Sequence, residues 1–362
     1  MFNKTDLNVS YSIAATYLGI VVGPAMTSGV FAANYYAKFG ANSIWLPLLT
    51  VGIIALTIFK GLDFARRNNC YDFDSLSHAL FKSKYKYFNP IFTMIVIIAS
   101  VISLSLQFAL GSSLLEQLLG CGYWLGCLIM GVAFLSITVL GSSRIRGSNV
   151  LMSFFLVGIL ILLMIFSVNK FPKEIGSIFY NWNPGTGSII GALVMALGYG
   201  FGNSTNFLPM LSLAEKIDSK EKVKLATIIS SVLNYVVIIC TVLILLPFGS
   251  EFFEGDTPIL RIISQYFPYL KAIYVILLFL AVLSSAPAQI YNQTKRWSKS
   301  VKMEDGWIKT LIISIIVCIP AVILAQQGLQ TIVSKVITYI GYLAIPTVFV
   351  PIVFFTNDNS NR

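Results

Sequence analysis

From Val9 to Phe39 the chain carries one apolar run long enough to cross a bilayer, because a helix rises about 1.5 Å per residue and the hydrocarbon core is about 30 Å thick. The centre of that run reads Y-L-G-I-V-V-G-P-A-M-T-S-G-V-F, Tyr17 to Phe31. Gly23-Pro24 at its midpoint, with Thr27, Ser28 and Gly29 behind, does not suit a continuous helix. Proline removes a backbone donor and crowds the preceding turn, and glycine weakens helix around it. Backbone groups freed inside hydrocarbon are costly unless protein, water or a ligand satisfies them. Such a break is either a packed kink or a binding site, and a second break in a matching place decides between them.

The rest of the chain is read against that run. Only 11% of its 362 residues are charged and 56% are hydrophobic, with a mean hydropathy of +0.80; a soluble domain carries about 25% charged residues. Ten apolar spans are expected, near 9–39, 42–61, 89–117, 122–141, 147–168, 187–213, 223–247, 269–292, 307–325 and 329–356. A polar loop is expected over 60–88, and a connector over 169–186 with its turn at Trp182-Asn183-Pro184-Gly185. Thr257 to Tyr266 has the pattern of a short helix. The first run is longer than a signal-peptide core and lacks a small-residue cleavage site, so it is expected to stay as a span.

The net charge of +10 is a topology signal here, not a nucleic-acid footprint. Arg66, Arg67, Lys82, Lys84, Lys86, Arg144, Arg146 and the lysines of Glu215 to Lys224 all fall on the side of the termini. The opposite side carries Lys38, Lys170, Lys173, Arg261 and Lys271. Basic loops face the cytoplasm, so both termini are expected inside a bacterial plasma membrane. The five cysteines are scattered with no CxxC, which indicates neither a disulfide framework nor a zinc site. His78 is the single histidine and reads as a solvated loop residue.

The second break is Gly198-Tyr199-Gly200-Phe201-Gly202-Asn203-Ser204, in span six. Spans one to five and six to ten therefore each begin with a glycine-interrupted helix, and an odd number per half inverts the second half. That is the sequence pointer to an inverted-repeat transporter with its site at the midplane. The repeats run about 9–168 and 187–356, within one membrane domain. Half-helix N-termini offer N–H groups to an anion, and C-termini offer carbonyls to a cation. Ala25, Met26, Thr27, Ser28 and Gly29 are expected to line the first break, with the N–H groups of Thr27 to Gly29 free. Tyr199, Gly200, Phe201, Gly202 and Asn203 are expected to line the second, with the Tyr199 and Gly200 carbonyls free. Together they suit a small zwitterion. Ser100, Ser103 and Gln107 share one face of span three, and Ser284 and Ser285 stand in the A-V-L-S-S-A-P stretch of span eight, followed on its polar face by Gln289 and Asn292. For all of these, packing between membrane helices is the alternative. Lys335 is close enough to its helix start to snorkel to the surface.

This combination resembles the LeuT-type fold of the amino acid–polyamine–organocation (APC) superfamily, and G-I-V-V-G-P-A-M-T-S-G is similar to the YkvI-type bacterial membrane proteins. The resemblance implies an all-α membrane protein, a 5+5 inverted repeat with broken helices one and six, and secondary transport by alternating access. Members with a sodium site use two carbonyls of span one, and a carbonyl and two hydroxyls of span eight. Carried over, these fall on Gly19, Val22, Ala281, Ser284 and Ser285. In the resembling fold span three lines the central site, which brings in Ser103 and Gln107. Span five has no lysine where proton-coupled relatives often place one, so the implied coupling is to Na⁺ or to no ion. Pro24 directly after Gly23, and apolar Val30-Phe31 where YkvI-type proteins tend to be polar, depart from the pattern and leave the solute class open.

A channel would want a continuous polar lining. A membrane enzyme would want Asp, Glu, His or Cys clustered at one face, and no such cluster occurs. A ligand sensor on the same fold stays open, since fold does not fix function. The expected partners are lipid, a small zwitterionic solute and Na⁺, with no other cofactor and no nucleic acid; oligomeric state is not legible.

Overall fold

Proline and glycine cut the first apolar run where the sequence places them. In the computed structural model, which describes residues 4–140, 145–298, 302–304 and 306–356, span one is three pieces: α1 (Lys4–Val21), the single turn α2 (Pro24–Thr27) and α3 (Val30–Tyr35). Span two is α4 (Leu46–Asn68). The expected polar loop is partly a helix, α5 (Phe73–Phe81), started by a capping box in which Asp72 accepts from the Asp74 and Ser75 N–H groups. Its Leu76, Leu80 and Phe81 are buried, an amphipathic pattern that the charges around it obscure.

Spans three, four and five are α6 (Tyr85–Leu119), α7 (Tyr123–Leu140) and α8 (Ile145–Lys170). Arg144 lies outside the described residues. The connector holds α9 (Pro172–Tyr180). Span six is α10 (Ile189–Gly202), an irregular stretch, and the short α11 (Leu211–Ala214). Span seven is α12 (Lys220–Leu245), the short loop helix is α13 (Pro258–Tyr266), and spans eight and nine are α14 (Lys271–Ser298) and α15 (Trp307–Ala325). The last span covers Leu329–Phe355. Among the described residues, seven helices are long and apolar enough to cross a membrane, and Val9–Val21 and Tyr123–Val139 are shorter apolar helices; span six, α10 with α11, brings the number to ten.

The packing has the internal symmetry that two inverted halves require. Spans one and seven pack together, and so do six and two. Three packs on nine and eight on four; three on four and eight on nine; one on five and six on ten; eight on five and three on ten. Each pair maps onto its partner when span n is exchanged for span n+5. The departure lies at the first break: α2 packs against both α6 and α14, a buttress that the second break lacks among the stronger contacts.

The last span holds three wide π-helical segments, Ile332–Ile337, Ile345–Phe349 and Pro351–Phe355. Pro346 and Pro351 have no N–H for the regular ladder, and π turns leave carbonyls to outside donors. Lys335 is exposed. His78 is also exposed, with its ring stacked on Tyr85 at 3.5 Å.

Candidate functional site

The first break is closed upon itself. The Gly23 carbonyl accepts from the N–H groups of Met26 (3.1 Å) and Thr27 (3.2 Å) and from the Thr27 hydroxyl (3.3 Å). The Gly29 N–H donates to the Met26 carbonyl at 3.2 Å. Thr27 and Gly29 therefore do not offer free N–H groups to an anion: α2 is a complete turn starting at Gly23, not the open helix end that the sequence suggests. Its remaining groups are held by other spans. The Tyr274 hydroxyl of α14 donates to the Thr27 carbonyl, and the Ile259 N–H of α13 donates to the Ser28 carbonyl at 3.0 Å. Gly29 sits in the left-handed region (φ 93°), and a Cβ there would stand 2.7 Å from Ile259 Cγ1. Only glycine lets α13 rest on the break this closely. Met26, Thr27 and Ser28 are buried; Ala25 lies on α2.

On the other side of the break stands Gln107. A Cβ on Gly23 would meet its Nε2 at 3.8 Å. The Ser285 hydroxyl donates to Gln107 Oε1 at 3.1 Å, and both residues are 5% exposed. Ser284 donates instead to the Ala281 carbonyl at 3.0 Å. Spans one, three and eight thus meet at Gly23, Gln107 and Ser285. Ser103, one turn before Gln107, is half-buried. Gly19 and Val22 lie at the last turn and end of α1, both buried, with the Val22 N–H bonded to the Leu18 carbonyl at 2.7 Å. The Ala281 carbonyl and Ser284 hydroxyl are neutral oxygens 3.0 Å apart, the kind of donor that a small hard cation takes. Gln289 Oε1 is buried with no partner among the described residues, and Asn292 is exposed.

Span six breaks later than expected. The helix runs through the glycines to Gly202, followed by short 3₁₀ turns at Asn203–Thr205 and Leu208–Met210. The Tyr199 carbonyl is not free: it accepts from the N–H of Asn203 and from Asn203 Nδ2 at 2.8 Å. The glycines serve helix packing. A Cβ on Gly200 would come within 3.0 Å of Ile53 Cδ1 and 3.3 Å of Thr50 Cα in α4. On the other flank a Cβ on Gly341 would strike the Gly198 carbonyl oxygen at 1.9 Å. Side-chain-free glycines at this spacing let α10 lie between α4 and the last span. Phe201 packs edge-on against Phe349 at 4.9 Å, and Ser204 Oγ is buried without a partner among the described residues.

Tyr199, expected at the second break, packs among aromatic residues that the motifs did not include. Tyr199 stacks on Tyr35 (4.6 Å) and packs on Phe31 (5.2 Å). The Tyr35 hydroxyl donates to the Val333 carbonyl in a π segment of the last span, and Tyr36 bonds through Thr50 to the Ala196 carbonyl. Asn234 of α12 donates to the Tyr17 hydroxyl at 3.2 Å. The signal available was Phe31 and Tyr35 at i, i+4 directly after the break. A half-open surface groove of about 170 Å³ lies between α1 and α11, lined by Val9, Ser12, Ile13, Leu213 and Lys216.

No protein-family model matches the chain. It is 24% identical over 345 residues to the uncharacterized membrane protein YkvI of Bacillus subtilis (strain 168), covering 92% of each. Among solved structures, the Eremococcus coleocola manganese transporter superposes with a TM-score of 0.66 at 16% identity, over 96% of this chain and 79% of that one. MhsT in complex with L-phenylalanine gives 0.66 at 14% identity, over 95% of each chain. A Na⁺-coupled sialic acid symporter gives 0.62 at 15% identity, over 98% and 88%. The chain has the LeuT-type fold of a multi-pass membrane protein. At these identities the likeness establishes the fold, and the cargo must be argued from the residues.

Proposed function

We propose that the protein is a secondary transporter of a small amino acid or related amine, working by alternating access and driven by Na⁺. Its basic face and both termini lie in the cytoplasm of a bacterial cell. The observation that carries this reading is the juxtaposition at the first break: a discontinuous helix, a buried amide and a paired hydroxyl, from three different spans. The seating of α13 on the first break, with the Ile259 N–H on the Ser28 carbonyl, fits a state shut to the outside. Na⁺ would be held by the carbonyls of Gly19, Val22 and Ala281 and the hydroxyls of Ser284 and Ser285. A bound cation there supplies positive charge beside the break, which favours a carboxylate-bearing solute.

The manganese cargo of one structural neighbour is not carried over. No group of three or more His, Cys, Asp or Glu residues that could hold a metal occurs among the described residues, and neutral oxygens suit a monovalent ion better than a transition metal. A ligand sensor is the second reading, because sensing needs the same binding site. The test is a thermal-shift screen of the purified protein with the twenty common L-amino acids and small amines in NaCl and in choline chloride, followed by flux in proteoliposomes. Transport predicts Na⁺-dependent stabilisation and Na⁺-driven uptake. Binding without flux would favour the sensor, and binding equal in the two salts would end the sodium part.

A further inference from the structure

Ser285 makes an unusual choice of partner. A serine within a helix ordinarily donates back to the carbonyl three or four residues earlier, and its neighbour Ser284 does so, to Ala281. The Ser285 hydroxyl crosses to span three and donates to Gln107 Oε1. A hydroxyl has one proton and two lone pairs. With its proton directed to Gln107, Ser285 does not compete for the Ala281 carbonyl, and its lone pairs are left for another group.

The amide has a second end. Gln107 Nε2 carries two donors, makes no hydrogen bond among the described residues, and stands beside Gly23 in the break. Leu104, Leu106 and Phe108 beside it on α6 are buried, while Nε2 itself, unlike Gln289 Oε1, is not a fully buried orphan, so its donors border space that a ligand can reach.

We propose that Gln107 is the positioning residue that couples the ion to the solute, a reading that rests on the proposed Na⁺ and solute sites. A cation on Ser285 Oγ polarises its O–H and strengthens the bond to Gln107 Oε1. The polarised amide then offers stronger N–H donors at the break, since hydrogen bonds in series reinforce one another. The group it recognises is a solute oxygen, carboxylate before carbonyl. Coupling passes through one amide, without a helix displacement, and by linkage it acts equally in both directions.

The experiment measures binding of the best L-amino acid from the screen, in NaCl and in choline chloride, to the unmutated protein, Gln107→Leu and Gln107→Glu. Coupling of this kind is typically 5- to 150-fold, so the unmutated protein is expected to bind about tenfold tighter in Na⁺. Gln107→Leu should reduce that ratio to near one. Gln107→Glu keeps an acceptor for Ser285 and replaces the donors by a carboxylate. It should retain stabilisation by NaCl alone, lose amino-acid binding by tenfold or more, and recover part of it as the pH falls and the carboxyl protonates, a readout that a purely structural role would not move. A ratio near one in the unmutated protein overturns both this proposal and the Na⁺-coupled reading beneath it. A ratio of about ten that survives in Gln107→Leu overturns this proposal alone. If Gln107→Leu does not fold, Gln107→Glu with unchanged amino-acid affinity at neutral pH overturns it equally.

Discussion

Asp256 is the residue that should hold the outer side shut. It stands two residues before α13, and its carboxylate accepts from the Ser113 hydroxyl of α6 at 2.8 Å and from the Gln330 N–H at the start of the last span at 3.0 Å. Thr257 beside it pairs with Gln117 at 3.0 Å. These bonds keep α13 where its Ile259 N–H meets the Ser28 carbonyl, and they must release if α13 lifts from the break. Hydrogen bonds to charged groups are worth about 1.5–3 kcal/mol each. Asp256 is partly exposed, so the lower end applies, about 1.5 kcal/mol per bond. Asp256→Asn keeps one acceptor and should raise the outward-open population about tenfold. Asp256→Ala removes both, and about 3 kcal/mol corresponds to roughly 150-fold. The assay is the rate at which a membrane-impermeant methanethiosulfonate modifies Ser28→Cys, directly beneath α13, in a background lacking the five native cysteines. Rates within twofold of the parent for both variants would refute the latch.

Three further outcomes follow from the packing and the loops. Gly341→Ala places a Cβ 1.9 Å from the Gly198 carbonyl and should destabilise by about 1–3 kcal/mol, lowering the melting temperature in detergent; Gly52→Ala in α4, which meets nothing within 4 Å, should not lower it, since alanine favours helix over glycine. Tyr35→Phe removes the donor to the Val333 carbonyl and should cost about 1–3 kcal/mol, read as a lower midpoint in a denaturant titration, with no change arguing that the π segment satisfies that carbonyl by itself. Burial and the neighbouring Asp72 push the Cys70 thiol up, so less thiolate is present at pH 8 than in free cysteine. Its reaction with a thiol reagent should be slower there and should keep accelerating as the pH rises beyond the ordinary thiol range; a rate matching free cysteine would contradict the buried position.

Spans, loops and the first break were legible because they depend on local rules: the length of apolar runs, the missing N–H of Pro24 and the weak helix propensity of glycine. The inverted repeat was legible from the same signals repeated at a half-chain interval. Gly198, Gly200 and Gly202 show where local reading stops. Glycine marks either a broken helix or a helix that another backbone approaches closely, and only the neighbours at Ile53 and Gly341 separate the two. Thr27, Gly29 and Tyr199 show a second limit: their expected free groups are bonded to neighbours three or four residues along the chain, because the backbone continues turning where glycine and proline suggest that it opens. Apolarity and proline act through the chain's own backbone, so the sequence by itself determined a multi-pass helical bundle with a break in span one. Which groups remain for an ion and a solute also depends on hydrogen bonds between residues far apart in the chain, 247 residues from Tyr274 to Thr27 and 298 from Tyr35 to Val333. Only the tertiary structure decided that Gln107 and Ser285 meet beside Gly23, because no periodicity within one helix records the partner on another.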